Sequence, residues 1–409
     1  MKKWLSILAA IIIVGCVQEN SGVKKDTSEQ EQLNELKKTV EEKVAEQVQN
    51  SLNEQSIEEP EQVEINKSSK IKPYAFTKGI YLSAYSVVSK RFPTILDSAQ
   101  AAGINTVVFD LKNMNGDVFF SVPQKDDLRD DRYKTIVNIP KVVKTLHERN
   151  MRAVSRIVMF HDQFSAAADS TLRIQTKDGN AWQENSRRKA SWLDSSNPIV
   201  QADLLYLIEQ AARKGVDEVQ LDYVRFPTGG KLSDTSFHFM REDSLAVKRD
   251  TNYVYRVKPD IIEDFMERAQ AICDDYNTTL AADIFAIVAW QNKTDVANTG
   301  QDIHRLTKHL QMLHPMIYSS HFADNFGYRE DVSNEPYFIV YKGTKLSKNY
   351  SDENCKVVPY IQANSWRVNY KAEYLQAQIE AIREAGGDGY LLWNASNKYF
   401  KTLSWIKDY

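Results

Sequence analysis

The sequence predicts an α/β fold, a (β/α)8 or TIM barrel, preceded by a lipoprotein signal and a polar helical stalk. Three observations carry the prediction. Apolar strand-length runs alternate with helix-length segments eight times between residues 73 and 409. Helix-to-strand turns are short (Ala102-Gly103, Arg149-Asn150, Lys214-Gly215, Gly386-Gly387), whereas the segments 113–137, 161–197 and 227–259 that follow strands are long. Long loops on one face mark it as the working face. Finally, the run 217–227 alternates apolar residues up to Asp222 and is closed by Pro227, as a barrel strand does when it delivers a carboxylate to its C-terminal rim.

The elements follow in order. Lys2 and Lys3 precede a short apolar run, residues 5–14, and Ile13-Val14-Gly15-Cys16 reads as a lipobox. The run is too short for a comfortable membrane span. Residues 1–15 are therefore expected to be a cleaved signal and Cys16 the lipidated residue. Val17 stands where an Asp would retain the protein at the inner membrane, so an outer membrane, if the cell has one, is the expected home. Residues 16–72 are rich in Glu, Gln, Asn, Lys and Ser, and no aromatic residue occurs in 17–72. Leu33, Leu36, Val40, Val44, Val48 and Leu52 recur at helical spacing, and Ser28 with Glu31 suggests a capping box. This segment reads as a solvated tether; weak self-association through the apolar stripe is the alternative.

From residue 73 the composition becomes globular. Strands are expected near 79–85, 104–112, 151–160, 217–226, 279–288, 313–320, 356–363 and 389–394. Helices are expected near 94–102, 138–149, 198–214, 260–275, 300–310, 335–347, 371–385 and 398–407. A doubly wound open sheet competes, but no Gly-rich phosphate turn follows the first strand. The net charge of -3 comes without a dense basic patch, which argues against nucleic acid as a partner. Cys273 and Cys355 are expected as buried free thiols. The seven histidines are scattered, with no His-Glu-x-x-His, and no Gly-x-Ser-x-Gly elbow occurs. No metal and no cofactor are expected.

Strand side chains alternate between faces. On the second strand Val107, Phe109 and Leu111 form an apolar face, so Asp110 and Lys112 should point into the barrel. The same reasoning turns Arg156, Gln220, Asp222 and Asp283 inward. Three carboxylates and two cations would converge. A buried charge network is a costly way to stabilise a core, whereas a catalytic site needs tuned acids. Trp290, Trp366 and Trp393 fall at or beyond strand ends, with Tyr223, Tyr318 and His321 near the same rim. Tryptophan faces stack on the C–H faces of pyranoses, and Asn364, Asn394 and Asn397 are candidate partners for sugar hydroxyls.

Several segments resemble the bacterial family of putative glycosyl hydrolase domains, distant relatives of the α-amylase and α-galactosidase barrels. They are Lys78-Gly79-Ile80-Tyr81, the run 105–112, the run 217–227, Pro315-Met316-Ile317-Tyr318-Ser319-Ser320-His321 and Leu391-Leu392-Trp393-Asn394-Ala395. Ser319 and Phe322 depart from the family's usual Pro and Tyr. Together with the lipobox, the resemblance implies a lipid-anchored glycoside hydrolase acting on an envelope or extracellular polysaccharide. Asp222 is then the expected nucleophile and Asp283 the expected general acid. Asp110 would hold a hydroxyl, and Lys112, Arg156 and Arg225 would tune the acids. Asp110, Asp162, Glu242 and Asp324 are competing acids near the rim. Adjacent strands lie about 4.8 Å apart, which favours the short carboxylate separation of a retaining enzyme. A glycan-binding barrel without turnover, or an envelope scaffold acting through the stalk, are the competing readings.

Overall fold

The computed structural model describes residues 70–123, 131–185, 187, 189–328, 331, 334–407 and 409. The expected signal, Cys16 and most of the stalk lie outside these residues. Eight parallel strands close into a barrel: β1 (Thr77–Leu82), β2 (Thr106–Lys112), β3 (Arg152–Val158), β4 (Glu218–Asp222), β5 (Thr279–Ile284), β6 (Met312–Ile317), β7 and β8 (Gly389–Trp393). β7 is split into Lys356–Val357 and Tyr360–Gln362 by the segment containing Pro359, whose nitrogen has no hydrogen to donate. Both halves pair with β6, the second half pairs with β8, and β8 pairs with β1, which completes the ring.

The crossover helices are α1 (Phe92–Ala101), α2 (Ile139–His147), α3 (Pro198–Arg213), α4 (Lys258–Asp275), α5 (Lys293–Thr299), α6 (Pro336–Tyr350), α7 (Ala372–Glu384) and α8 (Phe400–Ser404). Their starts are written locally. The side chains of Asn138 and Asn197 accept from Lys141 N and Ile199 N, and prolines occupy the first turn of α1, α2, α3, α4 and α6. Gly215 (φ +95°) and Gly386 (φ +78°) turn α3 and α7 into the next strands. The helix expected over 300–310 is displaced. Gly300, left-handed at φ +76°, ends α5, and only the short Ile303–Leu306 helix follows.

The strand alternation is as expected for most positions. Val107, Phe109, Leu111, Val219, Leu221, Leu280 and Ala282 join the outer core under the helices. Tyr81, Val108, Val154, Ala281, Met312, Val358, Tyr360 and Leu391 fill the barrel interior. Lys112 is the exception. The β2–β3 ladder slips between Asp110 and Lys112, so Lys112 pairs with Ile157. A slip of one residue reverses the face presented. Lys112 Nζ therefore donates to Val158 O (2.9 Å) and pairs with Asp162 (3.0 Å).

Residues ahead of β1 seal the N-terminal end of the barrel. Arg152 pairs with Glu218 and donates through Nε to Ile71 O (3.0 Å), while Ile71 N donates to Asp217 (2.8 Å) and Lys70 bonds Thr278. A chain starting at residue 73 would strand Asp217 and Arg152 without these partners. It is expected to be less stable than one starting at residue 65 by about 1–3 kcal/mol, seen as a lower urea midpoint with an unchanged slope. Equal midpoints would show that the seal contributes nothing.

At the other end the loops after β3 and β4 brace each other. Gln175–Thr176 pairs antiparallel with Thr235–Ser236, Trp182 Nε1 donates to Lys231 O, and Gly229 N donates to Glu184. They form one wall of the C-terminal face. Cys273 and Cys355 are buried free thiols.

Candidate active site

Near the C-terminal end of the barrel, β3 places Arg156 between two carboxylates. Its Nη1 lies 2.6 Å from Asp110 Oδ1 on β2. Its Nη2 and Nε lie 2.6 and 3.0 Å from Asp222 Oδ2 on β4. Tyr81 Oη donates to the other oxygen of Asp110 (2.5 Å), and Tyr223 N donates to the other oxygen of Asp222 (2.6 Å). Asp222 thus accepts three hydrogen bonds, two of them from a cation.

Asp283 has a different environment. Gln220 Nε2 donates to both its oxygens (2.7 and 2.9 Å) and to Tyr360 Oη (2.9 Å). No cation pairs with Asp283 among the described residues. The β4–β5 ladder joins Gln220 to Ala281; two residues further along each strand, Asp222 stands beside Asp283. All four charged groups are buried.

Two carboxylates therefore share one guanidinium, and the third has only an amide. Burial, and then the charge of Asp222, push the Asp283 carboxyl well above the usual carboxylate range. Burial also raises Asp110, against the opposing pull of Arg156. Burial works against the charge on Arg156, but Asp222 and Asp110 outweigh it and hold the guanidinium firmly protonated. Gln220 Oε1 is buried with no hydrogen-bond partner. With Asp283 protonated, a reversed Gln220 amide would offer Oε1 to the acid proton.

Aromatic rings lead from this centre outward. Trp393 stacks on Tyr81 (4.3 Å between centroids, 29°), and Tyr318 lies 5.9 Å from Trp393. His321 follows at 5.2 Å from Tyr318. Trp366, 54% exposed, stacks on His321 at 6.0 Å and 19°. The opposite side holds Arg225, whose guanidinium lies 4.8 Å from the ring of Phe285, 4.9 Å from Trp192 and 5.1 Å from Tyr223. Arg225 donates to Phe226 O, and no carboxylate pairs with it among the described residues. Tyr223 carries a positive φ of 53°, a conformation a bulky residue rarely adopts. It lets the backbone turn so that Tyr223 N bonds the adjoining Asp222.

The structure thus brings together Asp110, Arg156, Asp222, Asp283, Tyr318, His321, Trp366 and Trp393, with Tyr223 and Arg225 at the edge. Other expected residues lie elsewhere. Lys112 is spent on Asp162, which also caps a short helix through Ser165 N. Trp290 packs behind the rim against Phe322 and Phe326. The Asn394 amide is satisfied by Ala363 O, Lys398 O and Ser396 N. Glu242 pairs with Arg256, and Asp324 with Arg367. The sequence reading missed Tyr81, Tyr360 and Trp192, and gave Gln220 no role. Alternation held the signal for the tyrosines: Tyr81 opposes Ile80 and Leu82, and Tyr360 opposes Val357 and Ile361.

The pH dependence of stability follows from Asp283. Its folded pKa is raised, so between the ordinary carboxylate value and the raised one the native state holds a proton that the unfolded chain has released. Its contribution is most favourable below the unfolded value and is lost as pH rises toward the folded one. Asp283→Asn is therefore expected to flatten that decline and to raise stability at neutral pH relative to wild type. Denaturation at pH 4 and pH 7 measures both; parallel declines in the two proteins would contradict it.

The family model described as "Putative glycosyl hydrolase domain" matches residues 79–399. No curated protein matches the sequence. Among solved structures, the glycoside hydrolase domain of PgaB (BpsB) from Bordetella bronchiseptica superposes with a TM-score of 0.59 at 13% identity, over 82% of this chain and 98% of that one. The catalytic domain of β-amylase from Paenibacillus polymyxa gives 0.54 at 11% identity, over 83% and 98%. A hypothetical protein from Ruminiclostridium thermocellum ATCC 27405 is 26% identical over 50% of this chain and 96% of its own, with a TM-score of 0.39. At 11–13% identity the first two likenesses speak for the barrel fold.

Proposed function

The chain belongs to the family of putative glycosyl hydrolase domains, and on that footing we propose that it is a retaining glycoside hydrolase acting on an envelope or extracellular polysaccharide. The observation that carries the mechanism is the contrast between two neighbouring carboxylates. Asp222 is ion-paired with Arg156, whereas Asp283 has only an amide for a partner and its pKa is lifted. Neighbouring carboxyls in such unlike environments divide into nucleophile and acid.

Asp283 gives its proton to the glycosidic oxygen as the bond to the anomeric carbon breaks. An Asp222 oxygen bonds that carbon, forming a glycosyl ester. Water then attacks the same carbon while Asp283 takes back a proton, which frees the sugar and Asp222. Arg156 holds Asp222 and Asp110 in place, and the rings from Trp393 to Trp366 supply stacking faces for sugars further along. The test is a turnover screen of the full-length chain against a library of oligosaccharides and polysaccharides, with Asp222→Asn as control. Glycan binding without turnover by the wild type would point instead to a binding module.

The envelope location rests on the lipobox, which lies outside the described residues. Cys16 is proposed to carry the lipid that holds the barrel outside the cytoplasm, with residues 16–72 as tether. Cys16→Ser is expected to leave the protein unlipidated and uncleaved by the lipoprotein peptidase. Unchanged fractionation and gel mobility would remove the anchor from this account.

A further inference from the structure

A cavity opens on the C-terminal face, next to the strands that carry Tyr81 and Trp393. It lies between the loops that follow β1 and β8, has a volume of about 510 Å³, and is lined by Tyr85, Arg91, Asn397, Lys398, Phe400 and Lys401 among others. That volume is in the range of sites that hold small molecules.

Three features define its chemistry. First, its charge has one sign. Arg91, Lys398 and Lys401 contribute three cations, and no carboxylate is among the lining residues. None of the three forms an ion pair among the described residues. The Arg91 guanidinium lies over the Phe400 ring (5.8 Å), and the Lys401 ammonium over the Trp405 ring (5.3 Å). Other arginines of this chain are ion-paired, as Arg256 is with Asp243 and Arg305 with Asp260.

Second, two aromatic side chains are left open beside those cations. Tyr85 is 61% exposed and Phe400 41%. A free inorganic anion needs no such surface, whereas a pyranose presents a C–H face to it.

Third, the cavity is tied to the candidate site by hydrogen bonds. Asn397 is held at a positive φ of 53°. Its Oδ1 accepts from Ser83 N (2.8 Å) and Ser86 Oγ (2.6 Å), and its Nδ2 donates to Tyr81 O (3.3 Å) and Asn394 O (3.0 Å). Tyr81 in turn bonds Asp110 and stacks on Trp393. The cavity and the carboxylate cluster are thus attached to the same residue, one through its backbone and the other through its side chain.

We infer that this cavity is a subsite for a sugar bearing an anionic substituent, a carboxylate or a phosphate, within the polysaccharide substrate. The inference deepens the glycoside hydrolase reading and rests on it. An acidic glycan would be drawn to the cations, and its charged residue would settle here while a neighbouring bond lies over Asp222 and Asp283. Arg91 is suited to either anion, because its planar fork matches the oxygens of both.

The test measures binding by the full-length chain in detergent to four probes: tetragalacturonate, its methyl ester, 6-phosphorylated mannopentaose and mannopentaose. At least one charged probe is expected to bind about tenfold or more tighter than its uncharged counterpart, a difference of about 1.4 kcal/mol. The preference should shrink as salt is raised. The charged probe that binds tells carboxylate from phosphate. Arg91→Gln/Lys398→Gln/Lys401→Gln is expected to abolish the preference while leaving the melting temperature unchanged, because all three residues are exposed. Asp222→Asn should retain it. Equal affinity within each pair, a preference that survives the triple substitution, or no binding of either charged probe would overturn the inference. Turnover of a glycan without charge preference would sink the subsite and leave the hydrolase standing. Charge-dependent binding without turnover in the library screen would do the reverse.

Discussion

Asp222→Asn is expected to reduce turnover by about 10³-fold or more, equivalent to about 4 kcal/mol of lost transition-state stabilisation. The substitution barely changes volume but removes the oxygen nucleophile. It also disturbs the local hydrogen bonds in a definite way. Asp222 accepts from Arg156 at one oxygen and from Tyr223 N at the other. An asparagine offers an acceptor to only one of them and turns its own N–H toward the other donor. A stability loss of about 1–3 kcal/mol is expected from that mismatch. The Asp222 charge is also the second largest cause of the raised Asp283 pKa, so the variant should ionise Asp283 at lower pH. The informative comparison is turnover of a substrate found in the screen, alongside denaturation of the same preparations. Near-normal turnover would remove Asp222 from the mechanism. A melting curve broadened to non-cooperativity would mean that the residue is mainly structural.

Arg156→Met is expected to have the largest effect on the fold itself, a loss of about 3–5 kcal/mol, as when one partner of a buried ion pair is removed. The guanidinium is the only cation in contact with Asp110 and Asp222 among the described residues. Without it three buried carboxylates face one another. Burial already raises Asp283 and Asp110, and losing the guanidinium removes the pull that opposes it, so the penalty should be smallest at low pH and grow as pH rises. Denaturant midpoints at pH 4 and pH 8 measure that slope. Adding Asp110→Asn and Asp222→Asn to the variant should recover part of the loss, because the charges left without a partner are gone. A single variant as stable as wild type at pH 8 would show that the cluster is hydrated and loosely held rather than a tight buried network.

Much of this arrangement was legible because strands impose a period of two. Apolar Val107, Phe109 and Leu111 on one side of β2, and Val219 and Leu221 on one side of β4, leave Asp110, Gln220 and Asp222 only the barrel interior. Lys112 obeys the same pattern in sequence but not in space. A slip in the β2–β3 ladder depends on how two strands meet, and neither strand alone encodes it. Trp290 illustrates a second limit. Its position just past β5 suits a rim, yet its neighbours are Phe322, Phe326 and α6, which only the path of the following loop brings near.

What the sequence by itself determined is the barrel and the inward set of its strands, since element order and the alternation of apolar residues are properties of the chain read locally. It also determined which residue types stand at the strand ends. Only the tertiary structure decided how the charges are shared: that Arg156 serves Asp110 and Asp222, that Asp283 is left with Gln220, and that Arg91, Lys398 and Lys401 surround one cavity. Those outcomes depend on distances between segments far apart in sequence, such as the first and eighth strand loops. Electrostatic energy varies with separation and burial, and neither exists until the barrel has closed.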